Sequence, residues 1–408
     1  MENKFFIKEC KLVPTEGSSL KEEYSLLRGN PIISYYENIR CPAITVSLSF
    51  VDVDGLVSRE GITGGEYIQL DVDFKELGNF KIDANRHRVM INSVGNVNTR
   101  SNRQTATLEA ITVETIINET VRVSKKFDGP IDKTVEKLLR TEKKGINTTK
   151  TLFSSSSANS YAFVGNQRRP LDLIQWLSPK ASSSNNEFGY MFFETLDGYY
   201  FKSIDDLFKQ GITERYKKTE ISSSDHRRIL DDNVNKNTDV GMSMRMGMYA
   251  NKTIYMNPKD FKKSVVDFKL SELNLKRLPK APLGLDNYPT RLMFRITDTG
   301  ALQKGAKLED VQKEQDLAKY QNKSYARNNL IFSQSLNIMV PCNPNLRAGQ
   351  VIEVQFPIRD GEDEKTKRLG SESDKDISGR YLISELKHEI GNNKAYTQLS
   401  LIRDTFTA

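Results

Sequence analysis

The sequence has 408 residues, of which 37 % are hydrophobic and 28 % charged, with a formal net charge of +7 at pH 7. This length allows roughly two to four domains, and no apolar run approaches the ~18 residues of a membrane-spanning helix. The three cysteines, Cys10, Cys41 and Cys342, show no paired spacing, which excludes a disulfide framework and favours a reducing compartment. The N-terminus lacks an apolar segment of signal-peptide length, so we expect no secretion.

The first part of the chain is rich in predicted β-strands. Ala43 to Val53 and Glu66 to Phe74 alternate apolar with polar residues, the pattern of half-buried antiparallel strands. Further strand-like segments are 31–36, 80–96 and 106–117. Several short strands at this spacing predict a sandwich or a barrel. We therefore assign residues 1–122 to a first β-barrel, with about 212–238 as a candidate completion.

A change of pattern marks an α/β insert at residues 123–211. Between Lys125 and Arg140 the apolar residues recur on one helical face, and Gly145 can end that helix. The following segment, 146–160, is rich in Ser, Thr and Asn and is predicted to be a loop. These features separate the insert from the strand-rich sequence on both sides.

Residues 168–208 predict a helix, a hairpin and a second helix. Pro170 suits the first position of a helix, because its missing N–H costs nothing there. Asp197-Gly198 is typical of a tight turn between two aromatic strands, 190–195 and 199–202. Ser203 can cap the next helix, with Asp206 three residues further on.

The second half returns to strands around one long helix. Alternating methionines in Gly241 to Tyr249 predict a strand with four thioethers on one face, for an adaptable core or a subunit contact; metal binding is the alternative. Lys307 to Asn328 is the longest predicted helix. We assign 239–300 to the first part of a second β-barrel, 301–332 to the helix and its connection, and 333–408 to the closing strands. Within these, 255–268 and four tail segments are strand-like, and 359–376 is a charged loop.

No arrangement of residues indicates catalysis. The histidines (His87, His226 and His388) lack neighbours at metal-ligand spacing. Asp52 to Gly55 resembles part of a calcium loop but lacks the closing Glu, so a polar turn explains it better. Glu194 with Asp197 remains open as a glycosidase pair. We assign no catalytic, cofactor-binding or metal-ligating residue and no cofactor, and expect no enzyme activity.

Several segments in the same order resemble one protein family. RPLDLIQWL followed by GYMFFETLDGYYFKSIDDL is similar to the central segment of the baseplate central hub protein of T-even-type contractile-tailed bacteriophages, a family shared with contractile injection systems. Residues 34–74, with Gly-Gly-Glu at 64–66, resemble its first barrel. The strands that open the family's second barrel resemble residues 239–270. The end of its long helix, with the strands that follow, resembles 324–357, and its closing hairpin resembles 378–406.

The resemblance implies a mainly β fold with an α+β insert: two similar antiparallel tube-type barrels, a small helix–hairpin–helix domain and a long connecting helix. It implies a homotrimer whose pseudo-sixfold ring adapts the six-fold tail tube to a three-fold central spike, which bears a lysozyme in some relatives. Other implied partners are a tail tube or tube-initiator protein and the surrounding wedge proteins. The location implied is the virion tail baseplate, assembled in the host cytoplasm, with no membrane insertion.

DNA would pass through the lumen of such a ring without specific binding, so we expect the net positive charge on outer or spike-facing surfaces. The alternatives are the hub of a related contractile injection system, a cell-wall hydrolase, and a nucleic-acid binder. Because the sequence ends at Ala408 after the last predicted strand, without spike repeats, we expect a hub that is separate from its spike.

Overall fold

The structure, a computed structural model, describes most of the chain. The described residues are 4–57, 59–100, 103–141, 145–219, 225–235, 240–256, 261, 263–273, 284, 287–296, 313–357, 374 and 377–403. The strands are β1 (Phe5–Val13), β2 (Tyr24–Ser25), β3 (Ile32–Asn38), β4 (Thr45–Asp52), β5 (Tyr67–Phe74), β6 (Gly78–Ile82), β7 (Val89–Arg100), β8 (Arg103–Thr112), β9 (Lys126–Phe127), β10 (Leu152–Ser154), β11 (Phe163–Val164), β12 (Tyr190–Thr195), β13 (Gly198–Ser203), β14 (Ile212–Lys217), β15 (Asp231–Asn235), β16 (Ala250–Met256), β17 (Lys263–Lys269), β18 (Arg291–Ile296), β19 (Gln334–Pro341), β20 (Val351–Gln355), β21 (Gly379–Gly391) and β22 (Lys394–Arg403). The helices are α1 (Val113–Thr120), α2 (Ile131–Arg140), α3 (Pro170–Leu177), α4 (Ile204–Phe208), α5 (Val240–Arg245) and α6 (Lys313–Leu330).

A 14-stranded sheet dominates the fold, and the predicted fold class, mainly β with a few helices, is confirmed. Its main path runs β15-β19-β22-β21-β3-β4-β8-β7-β5-β1-β2, with β6 on β5 and β14 on β20 as side branches. We call β1–β8 the first strand group, and β14, β15 and β19–β22 the second. One hydrophobic core contains buried residues of both groups, from Cys10 to Leu401.

Strand β21 joins the two groups because its two halves have different partners. Residues 379–382 pair with β20, whereas 385–390 pair with β3 of the first group. The register of β21 against β22 shifts between Ile383 and Glu385, next to the point where the partner changes. A shift of this kind bends a strand and increases its twist, so β21 can leave one group and enter the other.

Strand pairing differs from what the order of segments along the chain suggested. Strands β14 and β15, in the segment 212–238, pair with β20 and β19 of the second group. Strands β16–β18 form a separate three-stranded sheet, in the order β17-β16-β18. Local alternation identifies a strand but carries no information about its partner. The domain boundaries themselves stay a prediction.

Helix α6 packs against that three-stranded sheet. The buried Asn322 accepts a hydrogen bond from Thr253 Oγ1 (2.7 Å) and donates one to the Val266 carbonyl (3.3 Å). The long predicted helix is thus helical over 313–330; residues 307–312 lie outside the described part of the chain. So does the charged loop 359–376, apart from Asp374.

The insert contains the predicted helix–hairpin–helix, α3-β12-β13-α4. Pro170 occupies the first turn of α3, and the Ser203 side chain accepts a hydrogen bond from the Asp206 N–H at the start of α4 (3.1 Å). The hairpin turn lies one residue earlier than predicted, since Thr195 pairs with Gly198 and the loop is Leu196-Asp197. At Gly198, where φ is +141°, an added Cβ would lie 2.3 Å from the Thr151 carbonyl oxygen.

Two segments that were predicted to be strands are partly helical. The methionine-rich segment contains α5, in which the Met246 N–H bonds to the Met242 carbonyl (2.8 Å), so the prediction of a strand with four thioethers on one face is wrong. Likewise, the chain leaves β8 at Thr112 and continues as α1. There, Asn118 accepts a hydrogen bond from the Leu171 N–H of α3 (2.8 Å), a tertiary contact that outweighs the strand preference of Val113, Ile116 and Ile117.

Candidate interaction surface

The most extensive candidate surface is one face of the large sheet, which runs unbroken over eight strands from β15 to β7. Directly opposed residues in an antiparallel pair point to the same side, so the pairing defines this face. One row across it consists of Asp231, Met339, Gln398, Lys387, Tyr36, Thr45, Ile111 and Met90. On the opposite side of β4, Val46, Leu48 and Phe50 are buried in the core.

Short polar side chains dominate this face, which we call the polar face. Members include Ser34, Asn38, Ser47, Ser49, Thr105, Thr107, Asn233, Ser335, Asn337 and Ser400. Many bond across strands: Ser47 Oγ donates to Glu109 (2.7 Å), and the hydroxyls of Ser49 and Thr107 lie 3.0 Å apart. Asn38 Nδ2 donates to Glu385 (2.8 Å) across the junction of the two strand groups. The polar face therefore extends over both groups.

The described charges on the polar face are predominantly negative. Glu109, Asp231, Glu385 and Glu389 are four carboxylates, against the two ammonium groups of Lys387 and Lys394, a difference of −2. Lys387 is itself paired with Glu389. The net charge of the whole chain is +7, so the described side chains of the polar face carry a net charge of the opposite sign. A concave region of about 590 Å³ lies on this face between β15 and β3.

Behind the sheet, a buried carboxylate connects three parts of the molecule. Glu37 of β3 accepts hydrogen bonds from the N–H groups of Leu196 (2.9 Å), in the insert hairpin, and Ala348 (2.7 Å), in the connection between β19 and β20 of the second strand group. The hydroxyl of Tyr35 donates to it as well (2.5 Å). Burial raises the pKa of Glu37, while nearby Arg347 opposes that rise. This carboxylate holds the first group, the insert and the second group together.

A second buried cluster anchors the insert to the first strand group. Lys150 Nζ lies 2.6 Å from Glu194 and 2.8 Å from Glu114. Glu194 also accepts a hydrogen bond from Thr112 Oγ1 (2.7 Å), and Glu114 accepts one from Thr148 (2.8 Å). The ammonium group thus separates two carboxylates that are both buried. Burial raises the pKa of Glu194 to about 7; Lys150 opposes this and Glu114 adds to it.

The raised pKa of Glu194 predicts a pH dependence of stability. The folded chain holds this proton more tightly than the unfolded chain, whose Glu has a pKa of 4.5. The resulting stabilisation is complete below about pH 4.5 and is lost as the pH rises through about 7. Relative to Glu194→Gln, the wild-type free energy of unfolding should fall by about 2 kcal/mol from pH 5 to pH 7. Urea titrations of the wild type and of Glu194→Gln at several pH values test this.

The residues considered for chemistry do not form a common site. Glu194 is buried against Lys150, whereas the Asp197 side chain is 47 % exposed and lies 3.4 Å from Arg347. Asp52 accepts hydrogen bonds from the Leu56 and Val57 N–H groups (2.7 and 2.9 Å), as a polar turn requires. Burial lowers the pKa of His388 to about 3.

Within the described ranges, no group of three or more His, Cys, Asp or Glu side chains is placed to hold a metal ion, and the three cysteines are free thiols. The roles of Glu37 and Lys150 could not be predicted from the sequence. Glu37 sits in a segment of β-like sequence and Lys150 in a predicted loop, so no local pattern distinguishes either residue. As to membranes, the helices in the described part of the chain are not long and apolar enough to cross a bilayer.

Comparisons with known proteins agree with this architecture. No protein-family model matches the chain, and no curated protein matches it. Among solved structures, a tail protein from Neisseria meningitidis MC58 superimposes with a TM-score of 0.53 at 11 % identity, over 99 % of this chain and 98 % of that one. The 43 kDa tail protein of prophage MuSo2 from Shewanella oneidensis gives 0.55 at 7 % identity, over 98 % and 99 %.

The chain therefore shares its fold with these two tail proteins over nearly its whole length. At these identities the likeness concerns the fold. The resemblance of the sequence to the baseplate hub family is confirmed as a likeness of fold.

Proposed function

We propose that this chain is a structural component of a phage tail baseplate, forming a trimeric hub ring between the six-fold tail tube and the three-fold central spike. The observation that carries the proposal is the sheet that joins both strand groups through β21 and presents one polar face across eight strands. Three chains with two strand groups each supply six similar units to a ring. Such a ring matches a six-fold partner on one side and a three-fold partner on the other.

The polar face has the chemistry that a passage for DNA requires. Hydroxyl and amide side chains keep a surface hydrated, and a small excess of carboxylates repels phosphates at short range. A cationic lining would instead bind the DNA backbone and release its counterions. We therefore assign the polar face to the lumen, and the positive charge of the chain to other surfaces.

The proposed ring has several protein partners and a place in the virion. The partners are a second and third copy of the chain, a spike protein, a tail tube or tube-initiator protein, and the wedge proteins of the baseplate. The ring would be assembled in the host cytoplasm and carried in the virion, and no catalytic step is assigned to it. The hub of a related contractile injection system is the alternative, and its ring would have the same geometry.

Mass by light scattering, followed by negative-stain imaging, tests the ring. The expected result is a particle of about three times the 46.5 kDa chain with a central hole. Because ring closure can require the spike, the measurement is repeated with a spike protein present. A monomer under both conditions would refute the trimeric hub while leaving the fold unchanged.

Charge reversal on the polar face tests the assignment of the lumen. Ser34→Lys, Ser49→Lys and Ser400→Lys together add three positive charges per chain to the polar face. We expect the wild-type ring to release duplex DNA by about 150 mM salt, and the triple variant to retain it at least ten-fold more tightly, because each added lysine can contact a phosphate and release its counterions. Gel-shift titrations measure this. A wild type that binds DNA tightly at that salt would contradict the assignment.

A further inference from the structure

A groove of about 1110 Å³ lies along the start of strand β1. Phe5, Phe6 and Ile7 line one side of it, and Pro31 and the turn at 391–393, between β21 and β22, line it as well. We call it the edge groove. Its volume exceeds the range of about 300–1,000 Å³ in which small-molecule pockets usually fall, so a longer ligand suits it better. None of the residues named for the polar face lines it.

The start of β1 is an open sheet edge. On the side away from β5, strand β2 pairs only with Lys11 and Leu12, and the Leu26 N–H bonds to the Cys10 carbonyl (2.8 Å). Residues 5–9 have no strand on that side within the described part of the chain. Because its N–H and C=O groups are unpaired, such an edge can receive another chain as a further strand.

The alternation of the β1–β5 pair shows which main-chain groups point to the open side. The Phe74 carbonyl accepts the Leu77 N–H (3.0 Å) on the β6 side of β5, so the main chain of the preceding residue, Asp73, faces β1. Its partner Phe6 is therefore the residue of β1 that bonds to β5. The N–H and C=O groups of its two neighbours along β1 point the other way, toward the edge groove.

The side chains of the edge groove combine apolar and positive groups. Phe5 and Ile7 pack against the main hydrophobic core but are only half-buried, and Phe6 is 67 % exposed. Lys4 and Lys75 also line the groove, and no carboxylate is among its described lining residues. The edge groove therefore favours a ligand that carries both apolar and acidic groups.

These features favour a peptide over a nucleic acid. A phosphodiester only accepts hydrogen bonds, so it can satisfy the outward N–H groups of β1 but not its outward C=O groups. A peptide strand satisfies both, at the spacing of about 4.8 Å between strands of a sheet. Its side chains also alternate, so apolar ones can lie beside Phe5 and Ile7 while acidic ones lie on the side of Phe6 and Lys4.

We propose that the edge groove binds an extended segment of a different protein, in which acidic and apolar residues alternate. The segment adds to β1 as a further strand, with main-chain hydrogen bonds to Phe5 and Ile7. Its apolar side chains complete the burial of these two residues, and its carboxylates bind Lys4 and Lys75. The binding does not require closure of the proposed ring, so it can be measured on the chain alone.

A synthetic peptide tests the proposal. The probe is a decapeptide of five alternating Glu-Val pairs with an N-terminal fluorescein label, titrated with the full chain while its fluorescence anisotropy is followed. We expect a saturable rise, and about five-fold weaker binding to the double variant Lys4→Gln with Lys75→Gln, since it removes two exposed charge pairs. The matched control, Lys125→Gln with Lys126→Gln, removes two exposed lysines from the insert and should leave the affinity unchanged.

Two variants at position 5 test the main-chain pairing. Phe5→Pro removes the outward N–H at the first residue of a strand, where proline is tolerated, whereas Phe5→Val keeps it. We expect Phe5→Pro to bind the peptide about five-fold more weakly than Phe5→Val does. The peptide should also slow hydrogen exchange at Phe5 and Ile7 but not at Phe6, whose main chain already bonds to β5.

Three results would overturn the proposal: no saturable rise, an unchanged affinity of the lysine double variant, or equal affinities of Phe5→Pro and Phe5→Val. A ten-nucleotide oligothymidylate should not compete with the peptide. Competition with the same lysine dependence would make the groove a nucleic-acid site. Association of the chain with itself that Phe5→Pro abolishes would assign the groove to a contact between copies. Either of these last two outcomes would replace the acidic segment as the occupant.

Discussion

Replacing Lys150 with methionine is expected to lower the free energy of unfolding by about 3–5 kcal/mol, the cost of leaving buried charges without their partner. Lys150 lies within 2.8 Å of both Glu114 and Glu194, and both carboxylates are almost completely buried. Methionine keeps an unbranched side chain of nearly the same length and removes its charge. The two carboxylates would then face each other in a region of low dielectric constant. Urea unfolding at pH 7.5 measures the loss.

A matched control separates this effect from the general loss of a lysine. Lys133→Met removes a surface cation whose partner, Glu136, is also exposed, and should change stability by less than about 0.5 kcal/mol. Adding Glu194→Gln to Lys150→Met should restore part of the loss, because Glu194, whose pKa rises further when Lys150 is removed, is replaced by a neutral group. A cost below about 1 kcal/mol for Lys150→Met would contradict the role given to this cluster.

Replacing Glu37 with alanine is expected to cost roughly 3–4 kcal/mol and to loosen the contact between three parts of the molecule. The Leu196 and Ala348 N–H groups both lose their acceptor. Each buried donor left unpaired costs about 1–3 kcal/mol. The effect should appear in two separate parts of the molecule, because these donors belong to the insert hairpin and to the connection between β19 and β20. Hydrogen exchange should therefore accelerate at Leu196 and Ala348 together.

The control for Glu37 is Glu385→Ala. Glu385 lies on the neighbouring strand β21, is exposed, and accepts its hydrogen bond from Asn38 at the surface. We expect a change within about 0.5 kcal/mol and unchanged exchange at Leu196 and Ala348. If Glu37→Ala slowed or left unchanged the exchange at both amides, the three-way connection would be refuted.

Local patterns were sufficient for most individual elements. The alternation in Ala43 to Val53 and Glu66 to Phe74 corresponds to β4 and β5, and the Ser203–Asp206 spacing corresponds to the cap of α4. These features depend on residues at most a few positions apart. In contrast, the methionine segment follows a period of two and is nevertheless partly helical in α5. Packing of Met244 and Met248 with the α6 residues Tyr320 and Ala326 accompanies this conformation, and no short-range pattern contains it.

The sequence by itself determined the mainly β class and the helix–hairpin–helix insert, because periodicity and turn residues are local properties. Only the tertiary structure decided that β14 and β15 join the second strand group and that β21 connects both groups. It also decided which carboxylates are buried. A strand edge offers the same backbone donors and acceptors to any partner. Whether a carboxylate is buried does not depend on its position in the chain. The partner of each is selected by residues up to 311 positions away, as with Glu37 and Ala348.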